Sequence, residues 1–387
     1  MKRSADHILV THAGTLPKPD TLREAQRSGR DELSTGQLLA EAVQKVVDKQ
    51  LACGVDVIND GELSKSNFYN YVLDRMTGFR LREATPEEEE THIWSVVRRE
   101  ERLFGDYFRR KGGPFVRGRD PSPAGPARLG VCVGPLTYTG QAQLQRDVDN
   151  FKRALAGRSY VDAFLPAPSP GVLASTMKNE HYPTWEAFLY AIADALHEEY
   201  RAIVDAGFVL QVDSPDIATN WQRFPDMDVA AYRKHVQQLI EAINHALHGI
   251  SAESVRFHMC WASWHGPHVT DLPLEEFVDL VLQVNASAIS LEAANPRHQR
   301  DWRVWEKVKF PDGKVLVPGV AGHFSDFVEH PEFIAERLVQ YAKLVGRENV
   351  AAGTDCGIAR VGHPEVVWAK LQAMAEGARL ADAALRG

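Results

Sequence analysis

Short apolar runs recur along this chain, and between them lie longer stretches whose apolar positions fall three and four residues apart. Aliphatic and β-branched residues dominate the runs and turn-forming residues punctuate them, which reads as strands. They occupy 7–12 (HILVTH), 55–60 (VDVIND), 128–133 (RLGVCV), 160–166 (YVDAFLP), 208–213 (FVLQVD), 255–260 (VRFHMC), 287–292 (SAISLE), 314–320 (KVLVPGV) and 349–355 (NVAAGTD). The stretches between them predict helices. In 34–53, Leu38, Leu39, Val43, Val46, Val47 and Leu51 form one apolar face after a Ser34-x-x-Gln37 capping box, and comparable patterns cover 184–206, 229–249, 329–346 and 364–385.

Alternating strand and helix is the mark of βα units around a parallel sheet, and the spacing predicts an α/β fold, a (β/α)8 TIM barrel. Nine strand candidates compete for eight places, and the run at 128–133 is the one expected to lie on an excursion. The segment 80–127 breaks the rhythm with TPEEEE, a predicted helix near 91–111 and the Pro/Gly-rich KGGPFVRGRDPSPAGPAR. It reads as an insertion, placed to cover the barrel mouth, within a single domain spanning 1–387. The acidic run Glu87 to Glu90 reads as a solvated helix start.

Composition changes the picture only by exclusion. With 44% hydrophobic and 25% charged residues and a net charge of -8, the chain is an ordinary globular protein that nucleic acid and anionic membranes would repel. MKRSADHILVTHAG contains no apolar run of signal-peptide length, and nothing later approaches the roughly 20 apolar residues of a membrane span. A cytoplasmic enzyme acting on small molecules is the expectation; oligomeric state is not legible. The four cysteines stand far apart, so free thiols serving a metal or catalysis are favoured over disulfides.

The chemistry concentrates at predicted strand ends. His258 and Cys260, two apart on one strand, point the same way and can share an ion. Glu292 closes its strand and Cys356 follows another, and in a barrel these ends converge on one mouth. One imidazole, two thiols and a carboxylate suit Zn2+ better than magnesium or calcium. Such a set carries a charge of about -3, which leaves bound zinc a weak Lewis acid but a good anchor for an incoming thiol. Glu292, the hardest ligand, is the natural one to yield to the substrate sulfur.

These residues stand among motifs that together resemble the zinc thiol alkyltransferases built like the C-terminal half of cobalamin-independent methionine synthase. The motifs are THAGTLPKP (11–19), NDGE (59–62), LQVDSPD (210–216), HMC (258–260), SLE (290–292), PGV (318–320) and GTDCG (353–357). The resemblance runs nearly end to end. It implies that His258, Cys260, Glu292 and Cys356 hold zinc, and that Thr15, Glu62 and Asp213 line the thiol pocket, the two carboxylates facing an amino group. It also implies a proton-donating histidine after PGV, which points to His323 in PGVAGHF. CWASWHGPHVTDLPL, ANPRHQRDWRVWE and FVEHPE look closest to the branch containing epoxyalkane:coenzyme M transferase. PAPSPGVLASTM (166–177), where methionine synthases grip folate with an aromatic, holds no tryptophan.

Further residues join the expected site. His265 and His268, in the loop after the ligand strand, are further candidate proton donors or turn caps; Trp261 and Trp264 are candidate walls for the alkyl donor; Arg297 is a candidate partner for an anionic group on the thiol. His12, Cys53 and Cys132 read as structural. The expected reaction is alkyl transfer to a small thiol such as homocysteine or coenzyme M. A zinc hydrolase or lyase, and a binding protein with a closed structural zinc, are the rivals.

Overall fold

The computed structural model describes residues 1–28, 32–111, 128–360 and 363–387. Among the described residues ten strands follow in chain order: β1 (Val57–Ile58), β2 (Met76–Glu83), β3 (Arg128–Tyr138), β4 (Asp162–Pro168), β5 (Lys178–Asn179), β6 (Val209–Asp213), β7 (Val255–Met259), β8 (Ala288–Leu291), β9 (Val315–Ala321) and β10 (Gly353–Thr354). Seven of them form one parallel sheet in the order β1-β4-β6-β7-β8-β9-β10. Residues 8–12 complete the ring. The Val10 carbonyl accepts from Val57 N at 3.0 Å, the Leu9 carbonyl from Ala352 N at 2.7 Å, and Thr11 N donates to the Ala352 carbonyl at 2.8 Å. Eight parallel positions curl into a (β/α)8 barrel.

The expected strands at 160–166, 208–213, 255–260, 287–292 and 314–320 match β4, β6, β7, β8 and β9 to within two residues at either end. The ninth candidate lies outside the barrel. β3 pairs antiparallel with β2 and parallel with β5 in a separate three-stranded sheet. The helices Glu32–Ala52, Trp185–Asp205, Val229–Ala246, Pro331–Val345 and Pro364–Arg386 occupy the predicted periodic stretches. Because the first of these already includes Ser34, that residue lies inside the helix and does not cap it.

Inside the ring, Leu9, Val57, Phe164, Val209, Ala288 and Val315 form one buried apolar cluster. Arg256 lies above it with its guanidinium 4.1 Å from the Phe164 ring centroid, donating to Thr11 Oγ1 and the His12 carbonyl. The amphipathic helices bury their apolar faces on the outside of the sheet.

The segment after β2 begins with a capping box between Thr85 and Glu88. Glu88 is not solvated as the acidic run suggested: it is buried, its carboxylate gripped by Arg82 at 2.7 Å and Lys178 at 2.7 Å. The predicted helix near 91–111 is regular only over Arg98–Lys111 and kinks at Phe104. This helix crosses the loops that follow β6 and β7. Phe108 is buried against Trp264 with Val96 and Val97, and Glu100 Oε1 accepts from Thr270 N at 2.6 Å. The Pro/Gly-rich stretch from 112 to 127 lies outside the described residues.

Candidate metal centre

β7 and β10 end beside each other's polar groups. The donor atoms of His258, Cys260 and Cys356 lie within 4.8 Å of one another, and the two sulfurs are 3.4 Å apart. His258 Nδ1 meets Ser290 Oγ at 3.0 Å, which fixes the ring, while His258 Nε2 is buried with no hydrogen-bond partner. The Cys260 thiol, donating to Cys356, holds the latter well below the usual thiol range and is itself pushed up. An orphaned imidazole nitrogen facing a thiolate-like pair fits a soft or borderline cation. One tetrahedral zinc would hold two sulfurs roughly 3.8 Å apart, near the spacing found.

Glu292 stands at the next strand end, grouped with His323 and Asp355 and not with the three donors above. Its Oε2 accepts from Trp261 N at 2.8 Å and its Oε1 from Asn295 Nδ2 at 2.9 Å. Burial, with Asp355 nearby, raises the Glu292 carboxyl well above its usual range. Asp355, which sequence reasoning passed over although it directly precedes Cys356, ties two strand ends together. Its Oδ1 accepts from the amides of Ala293 and Ala294, each at 2.7 Å, and burial lifts its carboxyl to about 7. His323 is buried, lies against Phe324 at 3.8 Å between ring centroids, and acts electrostatically on Cys356.

The expected thiol-pocket residues also converge. Thr15 Oγ1 donates to Glu62 Oε1 at 2.8 Å, and Glu62 Oε2 is buried without a hydrogen-bond partner, 3.6 Å from Lys65 Nζ. Asp213, taking a 2.7 Å bond from Gln211, is raised well above the usual carboxylate range by burial and by Glu62. Thr15 is also the neighbour of Gly357, where any Cβ would come within 3.0 Å of it. The carboxylate pocket and the turn carrying Cys356 therefore share a wall. Lys65 and Gln211 were missed in the sequence; Lys65 stands three residues past Glu62, a spacing that could have signalled the pair.

The remaining candidates lie differently. Trp264 is fully buried, stacked on His268 at 3.6 Å and packed on Phe108. Arg297 spends its guanidinium on the carbonyls of His268 and Val269. His265 faces Phe324 at 5.9 Å, and its carbonyl accepts from Lys111 Nζ.

A barrel with its sulfur, imidazole and carboxylate groups gathered at one set of strand ends belongs to the class of (β/α)8 enzymes that work at the barrel mouth. The chain is a member of the family described as cobalamin-independent synthase, catalytic domain, whose model matches residues 126–380. Methionine synthase of Sulfolobus acidocaldarius is 22% identical over 364 residues, covering 92% of this chain and 87% of that protein. The Sulfurisphaera tokodaii methionine synthase is 23% identical, covering 96% and 91%. Among solved structures, a B12-independent methionine synthase from Shewanella sp. W3-18-1 superposes with a TM-score of 0.71 at 19% identity, over 98% of this chain and 99% of that one. A putative vitamin-B12-independent methionine synthase from Listeria monocytogenes gives 0.66 at 18%, over 97% and 98%. No helix among the described residues is long and apolar enough to cross a membrane.

Proposed function

We propose that this chain transfers a methyl or other alkyl group to a small amino thiol such as homocysteine, with zinc held by His258, Cys260 and Cys356 and with Glu292 as the fourth, exchangeable ligand. The observation that carries the reading is the shared wall between the thiol pair and the Thr15, Glu62 and Asp213 pocket. The two methionine synthases, matched across nearly their whole length, support it.

Bound there, zinc would supply the positive charge that drives the proton off an incoming thiol and keeps its sulfur nucleophilic at neutral pH. Glu62 and Asp213 would grip the ammonium of the thiol, with Thr15 fixing the Glu62 rotamer and Glu62 Oε2 still open for that bond. Trp261 N and Asn295 Nδ2 would keep the Glu292 carboxylate in place whether or not it served as a ligand. As the new S–C bond forms, the C–N or C–O bond of the donor breaks, and the leaving atom takes a proton. His323, grouped with Asp355 and acting on Cys356, is the better proton donor; His265 is the alternative.

The same groups favour an amino thiol over coenzyme M. A sulfonate needs a cation, whereas Lys65 is engaged by the Pro166 carbonyl and Glu62, and Arg297 by two backbone carbonyls. The epoxide-opening branch therefore rests on motif similarity alone.

X-ray absorption of zinc- or cobalt-loaded protein, alone and with homocysteine, coenzyme M or glutathione, tests the reading. Homocysteine should convert an S2(N/O)2 shell to S3(N/O). Conversion by coenzyme M alone would overturn the amino-thiol assignment. An unaltered shell with every thiol would sink alkyl transfer and favour a structural zinc, and turnover of substrate without any thiol would favour a hydrolase or lyase.

A further inference from the structure

Away from the thiol pair, two buried histidines and two carboxylates, the partly exposed Asp301 at one end, are linked in a row. His268 Nδ1 meets Asp271 Oδ2 at 2.7 Å, His298 Nε2 meets the same oxygen at 3.1 Å, and His298 Nδ1 meets Asp301 Oδ2 at 3.0 Å. His268 Nε2 faces the Trp264 carbonyl at 3.2 Å, and Gln222 Nε2 donates to Asp271 Oδ1 at 3.1 Å. Each imidazole lies flat on an indole: His298 on Trp261 at 3.7 Å and 19°, His268 on Trp264 at 3.6 Å and 18°. Every ring nitrogen faces an acceptor, which fixes the orientation of both rings.

The row grips the segment that carries Cys260. Trp261 directly follows that cysteine, and its amide donates to Glu292 Oε2. The loop contains two residues other than glycine in the left-handed region, Ala262 at φ 62° and His268 at φ 55°. Such residues are strained and persist only where neighbours hold them. Here the neighbours are this row, the Arg297 bond to the His268 carbonyl and the packing of Phe108 on Trp264. On the opposite side, His298 N donates to the Asn295 carbonyl, and the Asn295 side chain holds the other Glu292 oxygen.

We infer that the row His268, Asp271, His298 and Asp301 is a positioning device that fixes the Cys260 and Glu292 edge of the metal centre by clamping the indoles of Trp261 and Trp264. None of the four shares a hydrogen bond with His258, Cys260, Glu292 or Cys356. The inference rests on the metal-centre reading above, and it gives the WHGPHVTD and NPRHQRD segments one joint task. Asp271 bridges the two imidazoles, so its loss releases both indoles at once.

The test uses the full chain with Asp271→Asn, the milder Asp301→Asn, and Arg347→Ala as a control of reduced stability, since Arg347 binds Asp382 at 2.5 Å far from the mouth. Three quantities are read: zinc affinity by competition with a chelator dye, the cobalt absorption spectrum with and without homocysteine, and tryptophan fluorescence of the metal-free protein. Loss of an outer partner of this kind typically costs about 10–100-fold in metal affinity. Asp271→Asn should fall in that range with an altered cobalt spectrum, Asp301→Asn by less in the same direction, and both should brighten tryptophan emission as the stacked imidazoles leave. The Arg347→Ala control should move none of the three.

If the variants lose thermal stability yet keep zinc affinity and spectrum, the row is merely structural and the inference fails while the metal-centre reading stands. If zinc titration finds a second equivalent that Asp271→Asn abolishes, the row is a metal site and not a clamp. If the unaltered protein takes up no zinc or cobalt, both readings fall.

Discussion

Replacing Gly14 by alanine would add one methyl group where the chain leaves no room. Gly14 has φ +137°, which side-chain-bearing residues rarely adopt, and a Cβ there would lie 2.6 Å from Glu62 Oε1. Backbone strain of this kind costs about 1–3 kcal/mol. With ordinary contact starting near 3.4 Å, the oxygen must retreat by about 0.8 Å, stretching its 2.8 Å bond from Thr15 to as much as about 3.6 Å, no longer a hydrogen bond. A hydrogen bond to a charged group contributes about 1.5–3 kcal/mol, and that part of the cost exists only while Glu62 is present. Urea unfolding of Gly14→Ala, Glu62→Ala and the double variant separates the two parts. Gly14→Ala should cost about 2.5–6 kcal/mol alone and only the strain, about 1–3 kcal/mol, in the Glu62→Ala background. The homocysteine concentration needed to alter the cobalt spectrum should rise at least about tenfold, the equivalent of 1.4 kcal/mol. An equal cost in both backgrounds would refute the argument that a side chain at position 14 acts by displacing the carboxylate.

Three further outcomes are expected. Ser290→Ala removes the partner of His258 Nδ1 and should weaken zinc binding by about 10–100-fold, measured by chelator competition; unchanged affinity would show that the ring is fixed by packing alone. Phe108→Ala empties a fully buried site between the excursion helix and Trp264. It should cost about 3–5 kcal/mol and speed amide exchange in 261–272, whereas exchange accelerated only within 98–111 would mean that the helix does not brace the loop. Burial opposes a charge on His298, but Asp271 and Asp301 more than offset it and raise the imidazole from 6.5 to about 10. A folded pKa above the unfolded one means that this stability is fully present below about pH 6.5 and is lost as pH rises through about 10. The gap in urea midpoint between the unaltered chain and His298→Gln should therefore narrow steadily from pH 6 to pH 10, and a constant gap would count against the charge.

The barrel was legible because its strands alternate with strongly periodic helices, and β7 and β8 ended where apolar residues gave way to Cys260 and Glu292. β2 was missed. MTGFRLRE is charged on its exposed face and gains its strand identity from β3, a partner about fifty residues on, which no local pattern records. The donor residue types and their strand-end placement were likewise visible, and the structure gathers His258, Cys260 and Cys356. The separate grouping of Glu292 with Asp355 was not, because it depends on two amides turning toward one carboxylate beyond the end of β8. The same holds for Trp264 and Arg297. Their types suit an exposed pocket wall and an anion partner, and only the course of the loop decides that one is buried and the other meets carbonyls.

The closure of the ring through Val10 and Ala352 sets a kinetic condition on the way this chain reaches its native state. The segment at 8–12 leaves the ribosome some 340 residues before its partner. At about 5–20 residues per second that interval is roughly twenty seconds to a minute, during which the flanks of β1 and of residues 8–12 offer unpaired backbone groups to any strand they meet. Folding that must await so distant a contact is slow for entropic reasons. Yield of folded protein should therefore depend on the rate of synthesis and on chaperone supply more than on the stability of the finished barrel.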